Sequence, residues 1–179
     1  MRRHHRGYSL LELLAVVIIL GIATAVAIPN VSTTNLDQLE LTAEEVADAV
    51  RFARSESIRT GEPHGFFSDL PNKRIRVFRA DMATNPPNPV YQVYHPVSKK
   101  LYDIDLENHP FARADALNGG ANYQGTCDEP RYTLFDAQGT VWCGDPPTVL
   151  YLNGIITFTL GDHTRTLSLD GISGRVSVQ

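Results

Sequence analysis

From Leu13 to Leu36 the sequence carries no charged side chain, and directly before that run stands Glu12. An apolar run of this kind has too few polar positions for a surface helix. Leu13 to Ile28 alone makes about 24 Å of α-helix at 1.5 Å per residue, slightly short of the ~30 Å hydrocarbon layer of a bilayer. Two readings follow from the residues. With the basic leader MRRHHRG ahead and Ala25-Val26-Ala27 behind, the run has the form of a secretory signal cut at A-x-A, leaving a mature chain that begins at Ile28. Left uncut, it is a membrane anchor whose leading arginines hold the leader in the cytoplasm and send the C-terminal body across. Neither reading accounts for Glu12, because an unpaired carboxylate in lipid costs on the order of 3 kcal/mol.

The remainder reads as one globular domain. Of 179 residues, 42% are hydrophobic and 20% charged, which excludes a disordered tail. The net charge is −4, and the leader holds Arg2, Arg3 and Arg6, so the body is more acidic than the whole and a poor general binder of phosphate. The two cysteines, Cys127 and Cys143, close a loop of roughly 15 residues, for which a disulfide contributes about 3 kcal/mol in the chain-entropy picture. Such a bond needs an oxidising compartment.

After a polar, β-branched stretch from Val31 to Asn35, a second helical pattern begins. Leu39, Val46, Ala49, Val50, Ala53 and Ile58 fall near a 3.6-residue period, with Glu40, Glu44, Glu45, Asp48 and Arg51 largely off it. Thr42 and Glu45 form a capping box if the helix restarts there, and a continuous helix from Leu36 fits equally well. Gly61 and Pro63 stop it. Beyond them, "HGFFSD", "KRIRVFRA", "PVYQVYHPV", "KLYDIDL", "RYTLFDAQGTVW", "TVLYLNGIITFTLGD", "TRTLSLD" and "GRVSV" are β-branched or aromatic and separated by turn residues, so they read as strands. In the second of these, Ile75 and Val77 alternate with Arg74, Arg76 and Phe78, a pattern for a strand with both faces occupied. Asp136–Gly139 and Gly161–Thr164 read as hairpin turns, and Thr84–Pro89 and Leu117–Gly125 as loops. Antiparallel hairpins on one amphipathic helix make an α+β fold.

Gly7 before Tyr8, then Ser9-Leu10-Leu11-Glu12, all behind a short basic leader, resembles the class III signal of type IV pilins and type II secretion pseudopilins. The resemblance implies a prepilin peptidase that cuts between Gly7 and Tyr8 and methylates the new amino terminus on Tyr8. It also implies that Glu12, at the fifth mature position, meets the amino terminus of a neighbouring subunit during assembly. Family members commonly begin with phenylalanine, so Tyr8 departs from the pattern while keeping its aromatic character. Pro29 falls where many pilins carry a proline that kinks the helix. Ala53-Arg54-Ser55-Glu56-Ser57, Phe135-Asp136-Ala137-Gln138-Gly139 and Gly174-Arg175-Val176 narrow the resemblance to the GspH/FimT group of minor subunits.

The expected organisation is therefore a leader, 1–7, that is removed; a hydrophobic transmembrane and polymerisation helix, 8–35; and a periplasmic head, 36–179, with an amphipathic helix at 36–60 and a β-rich part at 64–179. The fold is pilin-like α+β, a long N-terminal helix, embedded in the membrane over its first half, packed against an antiparallel sheet or β-sandwich. The implied place is the bacterial inner membrane, spanned once. The implied partners are other pilin or pseudopilin subunits, the prepilin peptidase and an inner-membrane assembly platform. The implied work is that of a structural subunit of a type II secretion pseudopilus or type IV pilus, acting in filament assembly and protein secretion.

Catalytic signals are thin. Gly171-Ile172-Ser173-Gly174 stops short of a G-x-S-x-G nucleophile elbow, because Arg175 follows at once. His64, His95, His109 and His163 stand singly, without zinc-ligand spacing, so no metal, cofactor or enzymatic activity is expected. Asp103 and Asp105 alternate with apolar residues and read as the wet face of a strand. Arg74, Arg76 and Arg79 read as a solvated strand face or as partner-subunit salt bridges before a basic patch. Some FimT-type pilins bind DNA, and the resemblance places that contact on a C-terminal G-R-x-R motif. Here Gly174-Arg175-Val176-Ser177 lacks the second arginine. Because affinity follows the number of phosphates neutralised, Arg175 reads first as a strand-end residue or subunit contact, with DNA binding as the alternative function.

Overall fold

The computed structural model describes residues 10–27, 34–69, 71–84, 87–110, 112–119, 132–144, 147–150 and 153–179. They belong to two compact units, Met1–Ser32 and Thr33–Gln179. In the first unit, helix α1 spans Leu10–Ala27 with Glu12 in its first turn. Leu10, Leu11, Leu13, Leu14 and Val16 to Leu20 are all exposed, each by half or more. No helix among the described residues is long and apolar enough to cross a membrane. The 18 residues of α1 rise about 27 Å, against a layer of ~30 Å. Gly7, Tyr8 and Pro29 lie outside the described residues.

The second unit opens with helix α2, Asn35–Thr60. Its start is set by Thr34 and not by Thr42. The Thr34 hydroxyl oxygen accepts the Asp37 N–H at 3.3 Å, and the Asp37 carboxylate accepts the Thr34 N–H at 3.2 Å, a reciprocal capping box that satisfies donors the helix cannot satisfy itself. Thr42 is fully buried mid-helix, its hydroxyl within 2.7 Å of the Gln38 carbonyl and 2.9 Å of the Arg113 carbonyl. Gly61 ends the helix in the left-handed region, φ 71°, its N–H bonded to the Ser57 carbonyl, as a C-terminal glycine does.

The buried stripe of α2 steps through Leu39, Ala43, Val46, Val50, Ala53 and Ser57. Continuing that period lands on Ser57, so Ile58, expected in the stripe, is 49% exposed. Ser57 is buried without loss because its hydroxyl accepts the His64 N–H at 2.8 Å and bonds the Ala53 carbonyl at 3.0 Å. That contact fixes where the chain turns back into strand.

Two antiparallel sheets flank this stripe. The strands are β1 His64–Asp69, β2 Arg74–Asp81, β3 Asn88–Val90, β4 Asp103–Asp105, β5 Ala116–Gly119, β6 Tyr132–Phe135, β7 Val141–Gly144, β8 Pro147–Leu150, β9 Asn153–Leu160, β10 His163–Asp170 and β11 Val176–Val178. One sheet has the order β3-β2-β1-β6-β7-β8, with β4 also paired to β2, and the other β11-β10-β9-β5. Residues 117–119, expected in a loop, pair instead with β9, Leu117 opposite Phe158. The stretch "PVYQVYHPV" keeps only a short strand, β3, and one bridge between Tyr94 and Leu101.

The core lies between α2 and the inner faces of both sheets, where Phe66, Ile75, Val77, Phe135, Val141, Phe158 and Leu167 are buried. The outer face of the first sheet carries a second cluster, Phe78, Ala80 and Leu134 with Phe67, Tyr91, Tyr132 and Trp142 around them. Strand β2 is thus occupied on both faces, as its alternation implied. The Phe67 and Tyr132 rings stack with centroids 4.5 Å apart, and the Arg76 guanidinium lies 5.1 Å from the Tyr91 centroid, an attraction between cation and ring face.

Candidate assembly interface

Glu12 is the acidic residue in the first turn of α1, the end of a helix where backbone N–H groups favour negative charge. Around it α1 presents apolar side chains without a core to enter. Chemically this is a helix that needs an apolar surrounding and offers one anionic group near its start.

In the head, the arginines of β2 are each matched inside the molecule. Arg74 makes a two-pronged contact with Asp103 at 3.0 and 2.9 Å and reaches Asp105 at 3.8 Å. Arg76 meets Asp69 at 2.6 Å and Arg79 meets Glu62 at 3.2 Å. The register of β2 against β4, with Arg74 opposite Asp105 and Arg76 opposite Asp103, brings these groups together. They form a partly solvated, ion-paired strand face and not an open basic patch, and Asp103 and Asp105 are partners of Arg74 in it. Burial pushes the Asp69 carboxyl up, but hydrogen bonds from Asn72 and Arg76 outweigh it and leave the group below the usual carboxylate range.

The histidines stay apart. His64 is buried with Nδ1 beside the Glu62 carbonyl at 2.8 Å, His95 accepts two backbone N–H groups, and His109 meets Glu45 at 3.2 Å. Among the described residues no group of His, Cys, Asp and Glu could hold a metal ion. Ser173 serves a turn, its hydroxyl and amide both donating to the Asp170 carboxylate at 2.7 Å. Cys143 is fully buried on β7 and disulfide-bonded. Cys127 lies outside the described residues.

The three short motifs from the helix end, the β6–β7 turn and the C-terminus converge on one side chain that sequence reasoning gave no role. Arg54 lies against both Gly139 and Gly174, and a Cβ at Gly174 would sit 2.2 Å from its Nε and 2.7 Å from its Cδ. Gly174 also has φ 64°. Arg54 therefore wedges between turns that belong to different sheets, and its Nε is buried without a hydrogen-bond partner among the described residues. One residue further, Arg175 is exposed. It lines a groove of about 290 Å³ with Gly154, Ile155, Asp170 and Ser177, so the two positions of the shortened G-R-x-R motif face one groove, and only one is cationic.

Gly174→Ala should destabilise the head by ~2–5 kcal/mol, combining the left-handed cost of about 1–2 kcal/mol with overpacking against Arg54 of typically 1–3 kcal/mol. Adding Arg54→Ala should remove the second part. A double-mutant cycle by denaturant unfolding checks this, and strictly additive effects would mean that Arg54 does not press on Gly174.

Residues 2–28 match the prokaryotic N-terminal methylation motif. No curated protein matches the chain in sequence. Among solved structures, the minor pseudopilin EpsH from the Type 2 Secretion System of Vibrio cholerae aligns with a TM-score of 0.53 at 10% identity, covering 80% of this chain and 97% of that one. The type IV minor pilin FimU of Pseudomonas aeruginosa aligns at 0.48 and 19%, covering 82% and 91%. At such identity the likeness to EpsH speaks for the fold. The chain thus carries an N-terminal methylation motif, and its α+β fold is similar to that of a minor pseudopilin.

Proposed function

We propose that this chain is a minor pilin or pseudopilin, a non-enzymatic subunit anchored in the bacterial inner membrane by α1, with its head on the periplasmic side, that joins a type II secretion pseudopilus or a type IV pilus. The observation that carries this reading is the methylation motif over residues 2–28, which contains Glu12 in the first turn of an exposed apolar helix. In the proposed sequence of events, the prepilin peptidase cuts between Gly7 and Tyr8 and methylates Tyr8. The assembly platform then draws α1 from the lipid into a bundle of like helices. There the Glu12 carboxylate faces the amino terminus of the adjacent subunit, a compensated charge pair that selects one register. Pro29 relaxes the helix between anchor and head. A Cys127–Cys143 disulfide, formed in the oxidising periplasm, ties β7 to the segment before β6.

Mass spectrometry of membrane-extracted protein should find a mature terminus at Tyr8 carrying a methyl group. A terminus at Ile28 would instead restore the soluble secreted reading.

DNA uptake is the second reading, favoured by exposed Arg175 in a groove that Ser177 shares. The paired state of Arg74, Arg76 and Arg79 leaves few cations for phosphates. Detergent-solubilised full-length protein should bind double-stranded DNA weakly, and Ser177→Arg should tighten binding and steepen its salt dependence by one phosphate contact, a slope of about 0.9 in log–log terms. Tight, salt-sensitive binding by the unaltered protein would rank DNA capture first.

A further inference from the structure

Between β3 and β4 the sequence Tyr94-His95-Pro96-Val97-Ser98-Lys99-Lys100-Leu101 folds back on itself as an arm. Tyr94 and Leu101 bridge its base. The Lys100 carbonyl accepts the His95 N–H at 2.8 Å, and the His95 carbonyl accepts the Lys99 N–H at 3.0 Å. At the tip Pro96 presets a turn, and the two N–H groups after it, those of Val97 and Ser98, both donate to His95 Nδ1, at 3.2 and 3.1 Å. This is the arrangement of an Asx turn, with an imidazole nitrogen where a side-chain carbonyl oxygen usually stands. Lys99 closes the tip at φ 57°, a left-handed conformation that costs any residue with a side chain, so the bonds around it must hold it there.

A backbone N–H only donates, so the ordered arm requires Nδ1 to be an unprotonated acceptor, with the ring proton on Nε2. A second proton can enter the ring only at Nδ1. There it removes the acceptor from both N–H groups and points a third donor at them. Two other histidines behave differently. His64 Nδ1 lies 2.8 Å from the Glu62 carbonyl, so it already carries a proton and keeps that bond as an imidazolium. His109 Nδ1 accepts the Ala112 N–H, but its Nε2 faces Glu45 at 3.2 Å, an ion pair that protonation strengthens.

Around His95 no such compensation stands. Tyr102 packs edge-on against its ring, centroids 4.7 Å apart, and burial pushes that phenol up to about 12, so it stays neutral. Lys99 and Lys100 add positive charge on the arm itself. Across the groove that Tyr94 and Pro96 share with α2, β1 and β2 lie Glu56, Arg59, His64 and Arg79, with Glu56 paired to Arg59 and Arg79 to Glu62. Glu45 and Asp48 of α2 act on Tyr102. The carboxylates favour an imidazolium and the cations disfavour it, but neither gives Val97 and Ser98 a new acceptor. Among the described residues the hydrogen bonds of the His95 ring are those two alone.

We propose that His95 is a proton-operated latch: the neutral ring holds residues 94–101 as an ordered turn, and its protonation releases them while the rest of the head stays folded. Because the ordered arm accommodates only the neutral ring, proton uptake and release of the arm are linked. Order is present at the higher pH and is lost as the pH falls across the imidazole range, about pH 5–8. Release stops at Tyr102, whose N–H bonds the Val93 carbonyl and whose carbonyl accepts the Val77 N–H. Val97 is 83% exposed, and Tyr94 and Leu101 are more than half exposed, so the latch sets whether these apolar groups, with Lys99 and Lys100, stand as one fixed tip or as a loose loop.

The test is NMR of the isotope-labelled full-length chain in detergent micelles at about pH 8 and about pH 5, the ends of the imidazole range. At the higher pH the unaltered chain should show the His95 proton on Nε2 and rigid amides at Val97 and Ser98. At the lower pH the ring should be doubly protonated and those amides mobile, both changes following one titration curve, while the Tyr102 and Trp142 signals keep their folded positions. His95→Asn supplies an acceptor that takes up no proton, so its arm should stay rigid at both values. His95→Ala should leave the arm mobile at both, again with Tyr102 in its folded position. A proton on Nδ1 at the higher pH, a ring still neutral at the lower, or amides that stay rigid around a doubly protonated ring would each overturn the latch. So would an asparagine variant that loosens with pH, an alanine variant as rigid as the parent, or loss of the Tyr102 and Trp142 signals in step with the arm.

Discussion

The architecture depends on the narrow buried face of α2. Leu39, Ala43, Val46, Ala47, Val50 and Ala53 are all fully buried, and the alanines among them let two sheets approach one helix closely. Each fully buried valine or leucine contributes about 1.5–3 kcal/mol, and the alanines add close packing where a larger residue would force the sheets apart. Because both sheets crowd this stripe, the opposite face of α2 is left to water. Leu36, Asp37, Glu40, Leu41 and Asp48 are exposed for that reason, and the helix can present them to another subunit.

The head settles its charges internally where strands meet and leaves them open where the chain projects. Arg74, Arg76 and Arg79 find carboxylates within 4 Å on neighbouring elements. Partly exposed pairs of this kind contribute little stability, of order 0–1 kcal/mol each, but they remove cations from the surface. Among the described residues, the exposed cations in no ion pair include Lys99 and Lys100 between β3 and β4, Arg113 before β5, and Arg175 beside the last turn. This distribution argues against a broad phosphate-binding face and for small, directional contacts.

Local pattern made much of this legible. The period of α2, the Gly61 stop, strand β1 over "HGFFSD" and the hairpin turn after Phe135 follow from spacing and turn chemistry that act within a few residues. What escaped was set by partners distant in sequence. Residues 117–119 look like a loop because their pairing depends on Phe158 and its neighbours. Thr42 resembles a cap until the Arg113 carbonyl, 71 residues away, is seen to receive its hydroxyl. Ile58 looks like core because a single-residue drift in period is invisible without the His64 N–H that rewards burying Ser57. The wedge of Arg54 between Gly139 and Gly174 joins three segments that sequence shows only as separate short motifs.

The anchor obeys a different logic from the head, since it places a carboxylate, Glu12, in the first turn of an exposed apolar helix. The proposed role of a second chain is to hold the Glu12 carboxylate in register through a neighbour's amino terminus. The direct measurement is to express Glu12→Ala beside the unaltered chain, confirm equal processing after Gly7, and compare co-purification with the other filament subunits. Membrane insertion should persist, because removing a charge favours lipid, while incorporation into filaments should be lost. Incorporation at the unaltered level would contradict the pairing on which this account of assembly stands.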